Sequence, residues 1–278
     1  ERRDPSGGGH ARTRPVRAGQ SRRRAGGPIK ERAQVTIDHS FLLLQVRNPD
    51  DPMREHEVEC FSRALRCNRD QIRVFDLLSG APSQRELGEA DVVLLGGSGD
   101  YSVAKGSPWL PAALEAMRQL HEASKPTFAS CWGFQAMARA MGGEVVTERS
   151  RAEVGTHWLE LTQEGKNDPV FGPLGNRFQV QIGHEDTVTR LPEGATLLAS
   201  SASVENEAFR FDGRPIYCTQ FHPELDREGI ITRIAQYPAY LSLAGHDTLA
   251  EFSAATPETP ETEAILRRFV SAALPRES

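Results

Sequence analysis

Between residues 36 and 141, short apolar runs alternate with segments whose apolar residues recur at helical spacing, and this alternation limits the possible folds. Residues 36–46, 71–78, 91–95 and 125–130 read as strands. Residues 52–67 read as a helix with Val58, Phe61 and Leu65 on one face. A second helix is expected after Ser107 as N-cap and Pro108 in the first turn, with Leu110, Leu114 and Met117 as its stripe. A third spans 134–141 and stops at Gly142-Gly143. Strands separated by helices pair in parallel, because a crossover is needed to bring the chain back in the same direction. The expected architecture is α/β, an open and mostly parallel sheet flanked by helices. Ligands in such sheets bind at the carboxyl ends of the strands. Gly96-Gly97 and Cys131 stand at two such ends.

The second half holds more strand: 157–162, 177–182, 196–200, 208–211 and 215–221, with Asp212-Gly213 as a hairpin turn. A further helix is expected over 260–272. Thr259 would cap it, Pro260 would take its first position, and Glu261, Glu263 and Arg267-Arg268 would complement its dipole.

Residues 1–34 differ from the rest. They hold ten Lys and Arg against three Asp and Glu, a net +7, whereas the whole chain is −5 and the remainder therefore −12. Gly7-Gly8-Gly9, Arg22-Arg23-Arg24 and Gly26-Gly27-Pro28 supply no core, so a disordered basic arm is expected. It lacks the apolar stretch of a secretory signal. A nucleic-acid or membrane tether is one reading of it, but the acidic body argues against nucleic-acid binding there. No apolar run approaches membrane-spanning length. The four cysteines, Cys60, Cys67, Cys131 and Cys218, form no Cys-x-x-Cys pair and are too few for a disulfide framework. A reducing cytoplasm is the expected setting.

Cys131 lies in "PTFASCWGFQAMA", between a short strand and a helix. A thiol at a helix start feels partial positive charge, which stabilises thiolate and lowers its pKa. The Trp132 N–H would help hold an oxyanion, and Gly133 would let the chain turn and pack closely. The alternative is a buried cysteine packed beside a tryptophan. A nucleophilic thiol needs a base and an orienting acid. "CTQFHPE" offers His222 and Glu224, two apart on extended chain and facing similar sides. Gly96-Gly97-Ser98-Gly99, after a strand, offers a second oxyanion donor, and no Gly-Lys-Ser/Thr follows to make it a phosphate loop. Glu205 and Glu207 read as a solvated strand face, His56 and His121 as solvated helix residues, His157 and Trp158 as strand packing, and Cys60 and Cys218 as core.

Gly96-Gly97, Cys131-Trp132-Gly133-Phe134-Gln135 and Phe221-His222-Pro223-Glu224, in this order and spacing, resemble class I glutamine amidotransferases. Residues 183–201, "GHEDTVTRLPEGATLLASS", are similar to the matching stretch of GMP synthetase glutaminase domains. The resemblance covers roughly residues 35–224. It implies a flavodoxin-like glutaminase fold over 35–225, with an added antiparallel portion and a C-terminal helical extension over 226–278 packed on the same domain.

The resemblance further implies a triad in which Cys131 attacks a γ-glutamyl amide, His222 moves the protons and Glu224 orients His222. Gly97 and Trp132 would supply the oxyanion hole, and Gln135, His184, Glu185 and Asp186 would hold the substrate. No metal or other cofactor is implied. Ser98 stands where many members carry Pro, and Trp132 where Leu or Tyr is usual. No second catalytic domain or nucleotide-pyrophosphatase loop is recognisable. The chain thus resembles the stand-alone, GMP-synthetase-like branch, some members of which resemble γ-glutamyl peptidases. The expected function is hydrolysis of a γ-glutamyl amide bond, in glutamine or a conjugate, through a Cys131 thioester. The alternatives are a glutaminase subunit supplying ammonia to a synthetase partner, and a non-catalytic binding protein on the same fold.

Overall fold

The computed structural model describes residues 39–274. The basic arm 1–34, the start of the first expected strand and the last four residues lie outside the described residues. In chain order the elements are β1 (Phe41–Gln45), α1 (Met53–Leu65), β2 (Ile72–Asp76), α2 (Gln84–Glu89), β3 (Val92–Leu95), α3 (Leu110–Glu122), β4 (Thr127–Ser130), α4 (Trp132–Ala140), β5 (Glu144–Thr147), β6 (Glu153–Leu161), α5 (Gln163–Asn167), β7 (Arg177–His184), β8 (Asp186–Arg190), β9 (Ala195–Ser200), β10 (Ala208–Phe211), β11 (Ile216–Thr219), α6 (Arg227–Gln236), α7 (Ala239–Leu243), α8 (Leu249–Ala255) and α9 (Ile265–Ala273).

The main sheet runs β2-β1-β3-β4-β11-β10-β9-β6-β7. From β2 through β11 every pairing is parallel. From β11 through β7 every pairing is antiparallel. β5 and β8 form a separate two-stranded ribbon.

Side-chain alternation sorts the parallel strands into two cores. Phe41, Leu43, Val92, Leu94, Phe128 and Tyr217 face one side, where α1 and α9 cover them. Leu42, Leu44, Val93, Leu95, Ala129 and Cys218 face the other, under α3 and α4. With both faces covered, β1 and β3 are apolar runs rather than alternating strands, and β4, Thr127-Phe128-Ala129-Ser130, is buried throughout. On the first face the Phe269 ring of α9 meets Phe128 at 5.4 Å and Tyr217 at 5.7 Å, so the last helix closes the same core as α1. A third cluster joins Cys60 of α1, Val154 of β6, Ile230 and Ile234 of α6 and Phe252 of α8.

Several expectations shift in detail. α3 starts at Leu110 with Trp109 as N-cap and Pro111 just inside, while Ser107 bonds to the Gly106 carbonyl instead of capping. α9 starts at Ile265, not Pro260, because Thr259 and Thr262 close a turn first. Trp158 is 48% exposed, its ring packed across the β6–β7 pair under the Arg177 guanidinium at 4.5 Å. Asp212-Gly213 does turn the β10–β11 hairpin, with Gly213 at φ 69°. Among the described residues no helix is long and apolar enough to cross a membrane.

Candidate active site

Four neighbouring parallel strands end at one place. Arg47 follows β1, Gly96-Gly97 follow β3, Cys131 follows β4, and His222 comes three residues after β11. The register of β4 with β11 sets Ser130 beside Thr219, and the Cys131 N–H donates to the Thr219 carbonyl at 2.8 Å. Two residues on, the Gly133 N–H donates to the Gly96 carbonyl at 3.1 Å. A side chain at Gly133 would overlap Leu95, so glycine is what lets α4 approach β3. These bonds lock the β4–α4 corner. Cys131 itself sits at φ 53°, ψ −105°, a backbone conformation rarely adopted by a residue with a side chain. The strain turns the thiol out of the sheet into a cleft.

Sulfur and imidazole both border Gly97 and line one cavity. A methyl group added there would lie 2.9 Å from His222 Cε1 and 3.6 Å from Cys131 Sγ. The thiol's hydrogen bond, at 3.7 Å, is to the Gly183 carbonyl. His222 Nδ1 lies 2.7 Å from Glu224 Oε1. The strand stops at Thr219, so His222 and Glu224 share a turn closed by the Leu225 N–H on the His222 carbonyl, not the extended chain expected. The His222 N–H anchors this turn to the Gln181 carbonyl at 2.9 Å.

Burial raises the Glu224 carboxyl, but His222 and Arg233 outweigh it and hold it down to about 2. Ionised, it can only accept, so Nδ1 donates to it at the shorter distance and Nε2 is free to act as base; Arg233 Nη1, also only a donor, lies 3.0 Å from the same Nδ1 and makes no hydrogen bond to it in this tautomer. Burial, seconded by Arg233 and opposed by Glu224, keeps His222 below its ordinary value and therefore neutral at pH 7. Burial also pushes the Cys131 thiol up to about 12, against the Trp132 N–H and the Arg233 and Arg47 cations. The expected lowering of the thiol by the helix start is thus overturned. The helix start does act on the sulfur, but desolvation outweighs it.

The Gly97 N–H also differs from expectation. It donates to Glu57 Oε1 at 3.1 Å and so is engaged by a side chain of α1. Glu57 is fully buried. Arg47 Nη2 reaches its Oε1 at 3.0 Å and Arg233 Nη2 at 3.5 Å, and Arg233 lies 3.5 Å from Glu224 as well. A chain of buried charges therefore runs from β1 through α1 and α6 to the triad. Tyr237 extends it, donating to Asp51 at 2.6 Å and accepting from Arg47 at 2.9 Å. Sequence reasoning misses Glu57, Arg47 and Arg233 as site residues. Glu57 and Arg233 lie on helices, where charged residues usually mark solvated faces. The one available signal is their place beside the apolar positions Val58, Ile230 and Ile234.

Two cavities flank Cys131. One is walled by Ser98, Trp132, Gln135, His184, Glu185 and Asp186. The other is walled by Gly97, His222, Ile230, Ile234 and Tyr237, and Tyr240 of α7 borders both. The expected substrate residues thus border the nucleophile, but with different polar roles. Gln135 Nε2 donates to the Asp186 carbonyl and to Gln220, each at 3.1 Å. Asp186 accepts from Ser102 and Thr147 at 2.6 Å and from the Ala104 N–H, so its carboxylate ties loops together. His184 presents its ring to the cavity, but Nδ1 bonds to the Asp186 carbonyl at 2.9 Å and Nε2 faces Glu153 and Glu207. Nδ1 is thus engaged, and Nε2 is turned towards the two buried acids. Glu185 pairs with Arg149 at 3.1 Å. Glu207, expected on a solvated strand face, is wholly buried, whereas Glu205 is exposed.

Residues 58–229 match the family model described as glutamine amidotransferase class-I. The chain is 35% identical over 126 residues to one of the subunits of the glutamine-hydrolyzing GMP synthase of Methanothermobacter thermautotrophicus, 45% of this chain and 66% of that protein. It is 33% identical over 154 residues to the glutamine-hydrolyzing GMP synthase of Flavobacterium psychrophilum, 52% of this chain and 28% of that protein. The matches thus span just under two thirds of the archaeal protein and little more than a quarter of the bacterial enzyme. Among solved structures, a glutamine amidotransferase from Thermotoga maritima superposes with a TM-score of 0.67 at 21% identity, covering 86% of this chain and 99% of that one. A glutamine amido transferase from Methylobacillus flagellatus gives 0.62 at 18%, covering 86% and 97%. At these identities the two structures speak to the fold alone.

Proposed function

Because the chain belongs to the class I glutamine amidotransferase family, we propose that it hydrolyses a γ-glutamyl amide bond through a thioester on Cys131. The observation that carries this reading is the placing of Cys131 Sγ and the His222 ring side by side against Gly97, with Glu224 on Nδ1 at 2.7 Å.

A protonated thiol beside a neutral imidazole sets the sequence of proton transfers. As Sγ attacks the amide carbon, its proton passes to His222 Nε2, and Glu224 stabilises the imidazolium formed. The carbonyl oxygen becomes an oxyanion facing the Trp132 N–H at the start of α4. The Gly97 N–H joins it once freed from Glu57. Collapse breaks the C–N bond, and Nε2–H protonates the departing ammonia or amine. Water, deprotonated by His222, then attacks the thioester, and glutamate leaves as the thiol is re-formed.

The cavity beside Gln135 suits the glutamyl group. The one beside His222, Tyr237 and Tyr240 suits the leaving group, and its apolar wall of Ile230 and Ile234 would admit something larger than ammonia. A second reading is a glutaminase subunit that passes ammonia to a synthetase partner. It is favoured by the likeness to a protein named as a GMP synthase subunit. We place the reaction in the cytoplasm, where the four free cysteines would stay reduced.

The test is a panel of glutamine, γ-glutamyl dipeptides and glutathione conjugates, run on the wild type and on Cys131→Ala. Loss of all turnover in the variant is expected, and wild-type rates in the variant would refute the triad. Full activity of the isolated chain on conjugates favours the hydrolase. A glutaminase rate that rises only with a synthetase favours the ammonia-supplying role.

A further inference from the structure

Behind the His184 ring lies a second cluster that the amide chemistry does not use. Glu153 opens β6, His184 ends β7, and the antiparallel register sets them directly opposite each other. Glu207 precedes β10, its backbone fixed by bonds to Ala199 and Gln220. All three side chains are buried, at 3%, 2% and 0% exposure. His184 Nε2 lies 3.8 Å from Glu153 Oε2 and 3.9 Å from Glu207 Oε1. None of these three atoms has a hydrogen-bond partner, nor does Glu207 Oε2.

The tautomer of His184 makes the cluster informative. Nδ1 lies 2.9 Å from the Asp186 carbonyl, which can only accept, so Nδ1 carries a hydrogen. With Nδ1 as the donor, Nε2 is turned towards two carboxyl groups, an arrangement that a cation at its centre would satisfy. A proton spans these gaps poorly, because a hydrogen bond to oxygen requires about 2.7–3.2 Å. A metal ion fits gaps of this order better, the three donor atoms lying within 4.8 Å of one another. Around Zn²⁺, with bonds of about 2.0–2.2 Å, trigonal or tetrahedral donor atoms stand roughly 3.3–3.8 Å apart.

Two carboxylates with one imidazole are a donor set for zinc-type divalent ions. The outer contacts also suit a metal site. A ligating histidine commonly donates its other N–H to a carbonyl, as His184 does, and Glu153 Oε1 accepts from the Ser201 hydroxyl at 2.7 Å.

We propose that Glu153, His184 and Glu207 are the protein ligands of one divalent transition-metal ion of the zinc type, a structural site behind the substrate pocket. The ion ties β6, β7 and the segment before β10 together. It also holds His184 next to Gly183, whose carbonyl faces the Cys131 thiol. No step of the amide chemistry passes through it.

The test uses the full chain carrying Cys131→Ala, so that the nucleophilic thiol does not capture zinc, with and without Glu207→Gln. After EDTA stripping, Zn²⁺ is titrated calorimetrically and bound metal is counted by mass spectrometry. One equivalent is expected in the parent, with affinity at least tenfold weaker in Glu207→Gln and a thermal midpoint that zinc raises only in the parent. Absence of binding at 100-fold excess Zn²⁺ over protein, or equal affinity in both proteins, overturns the proposal and leaves Glu207 as a buried neutral acid. If Glu207→Gln fails to fold, Co²⁺ absorption of the parent decides: a protein-ligated visible band sustains the site, and the spectrum of the aqueous ion alone refutes it. These readouts involve no turnover, so they stand or fall apart from the amide-hydrolysis reading.

Discussion

Glu57 Oε1 accepts the Gly97 N–H at 3.1 Å, so a buried carboxylate occupies the donor that the oxyanion would need. Glu57 enters this position because Gly96 has no side chain, since any Cβ there would overlap its carboxyl group. The Gly97 amide must therefore leave Glu57 for the reacting oxygen. A crystal structure of Cys131 alkylated by a glutamine-mimicking electrophile should show Gly97 N more than about 3.5 Å from Glu57 Oε1, beyond hydrogen-bonding range. If the bond remains, the oxyanion is held without Gly97. In the free protein, Glu57→Ala removes the buried carboxylate shared by Arg47 and Arg233, leaving each with one acidic partner, Asp51 and Glu224, and breaking these buried pairs should cost about 3–5 kcal/mol in denaturant unfolding.

Glu224→Gln replaces an ionised, acceptor-only group with a neutral amide that can donate as well as accept, so the His222 tautomer is no longer fixed and the imidazolium loses its counter-charge. A fall in kcat of about 10²–10⁴-fold is expected, smaller than the loss in Cys131→Ala. In the wild type, burial and Arg233 hold His222 down against Glu224 and Glu57, which raise it. The acid limb of kcat/KM should therefore lie below pH 6.5. An acid limb at or above 6.5 would mean that the base is not this buried ring.

Stability should fall in alkali. Burial raises the folded-state values of Cys60 and Cys67 to about 11 and Cys131 to about 12, from an ordinary 9.0, with Cys218 also raised. Above pH 9 the unfolded chain sheds these protons while the folded one keeps them, so stability present below that pH is lost as it rises towards 11–12. Urea midpoints at pH 8, 9 and 10 should decline in order. A Cys60→Ala, Cys67→Ala double variant should decline less steeply.

Phe269→Ala tests whether α9 is integral to the core. The ring is fully buried against Phe128 and Tyr217, and its removal should cost about 3–5 kcal/mol. That is a large share of a typical 5–15 kcal/mol total, so the variant should unfold at markedly lower urea. A change under about 1 kcal/mol would place α9 outside the cooperative unit.

β1 and β3 are legible in the sequence because they are buried on both faces and read as nearly uninterrupted apolar runs. Cys131, His222 and Glu224 are legible because each stands next to a strand end with a residue that shapes the local turn: Gly133 for the first, Pro223 for the others. The supporting charges are hidden by the opposite logic. Glu57 shares α1 with exposed acids such as Glu55 and Glu59, and only the fold distinguishes the one that turns inward. Glu207 misleads for the same reason. Its neighbour Glu205 is solvated, and strand alternation cannot assign a face where the strand has not yet begun. The thiol's protonation is misjudged because helix position is visible in a sequence while desolvation is not.

The shared strand ends also bear on which sequence changes this chain tolerates. Leu95 pairs with Leu44 and Ala129, and Ser130 with Thr219, so one hydrogen-bonded row sets the height of the residues that follow. Deleting one residue from β3, β4 or β11 would slide the next side chain by about 3.3 Å and turn it to the opposite face. Length variation should therefore collect in the loops at the amino ends of these strands, and the spacing from β4 to Cys131 should resist insertion even where the residues themselves change.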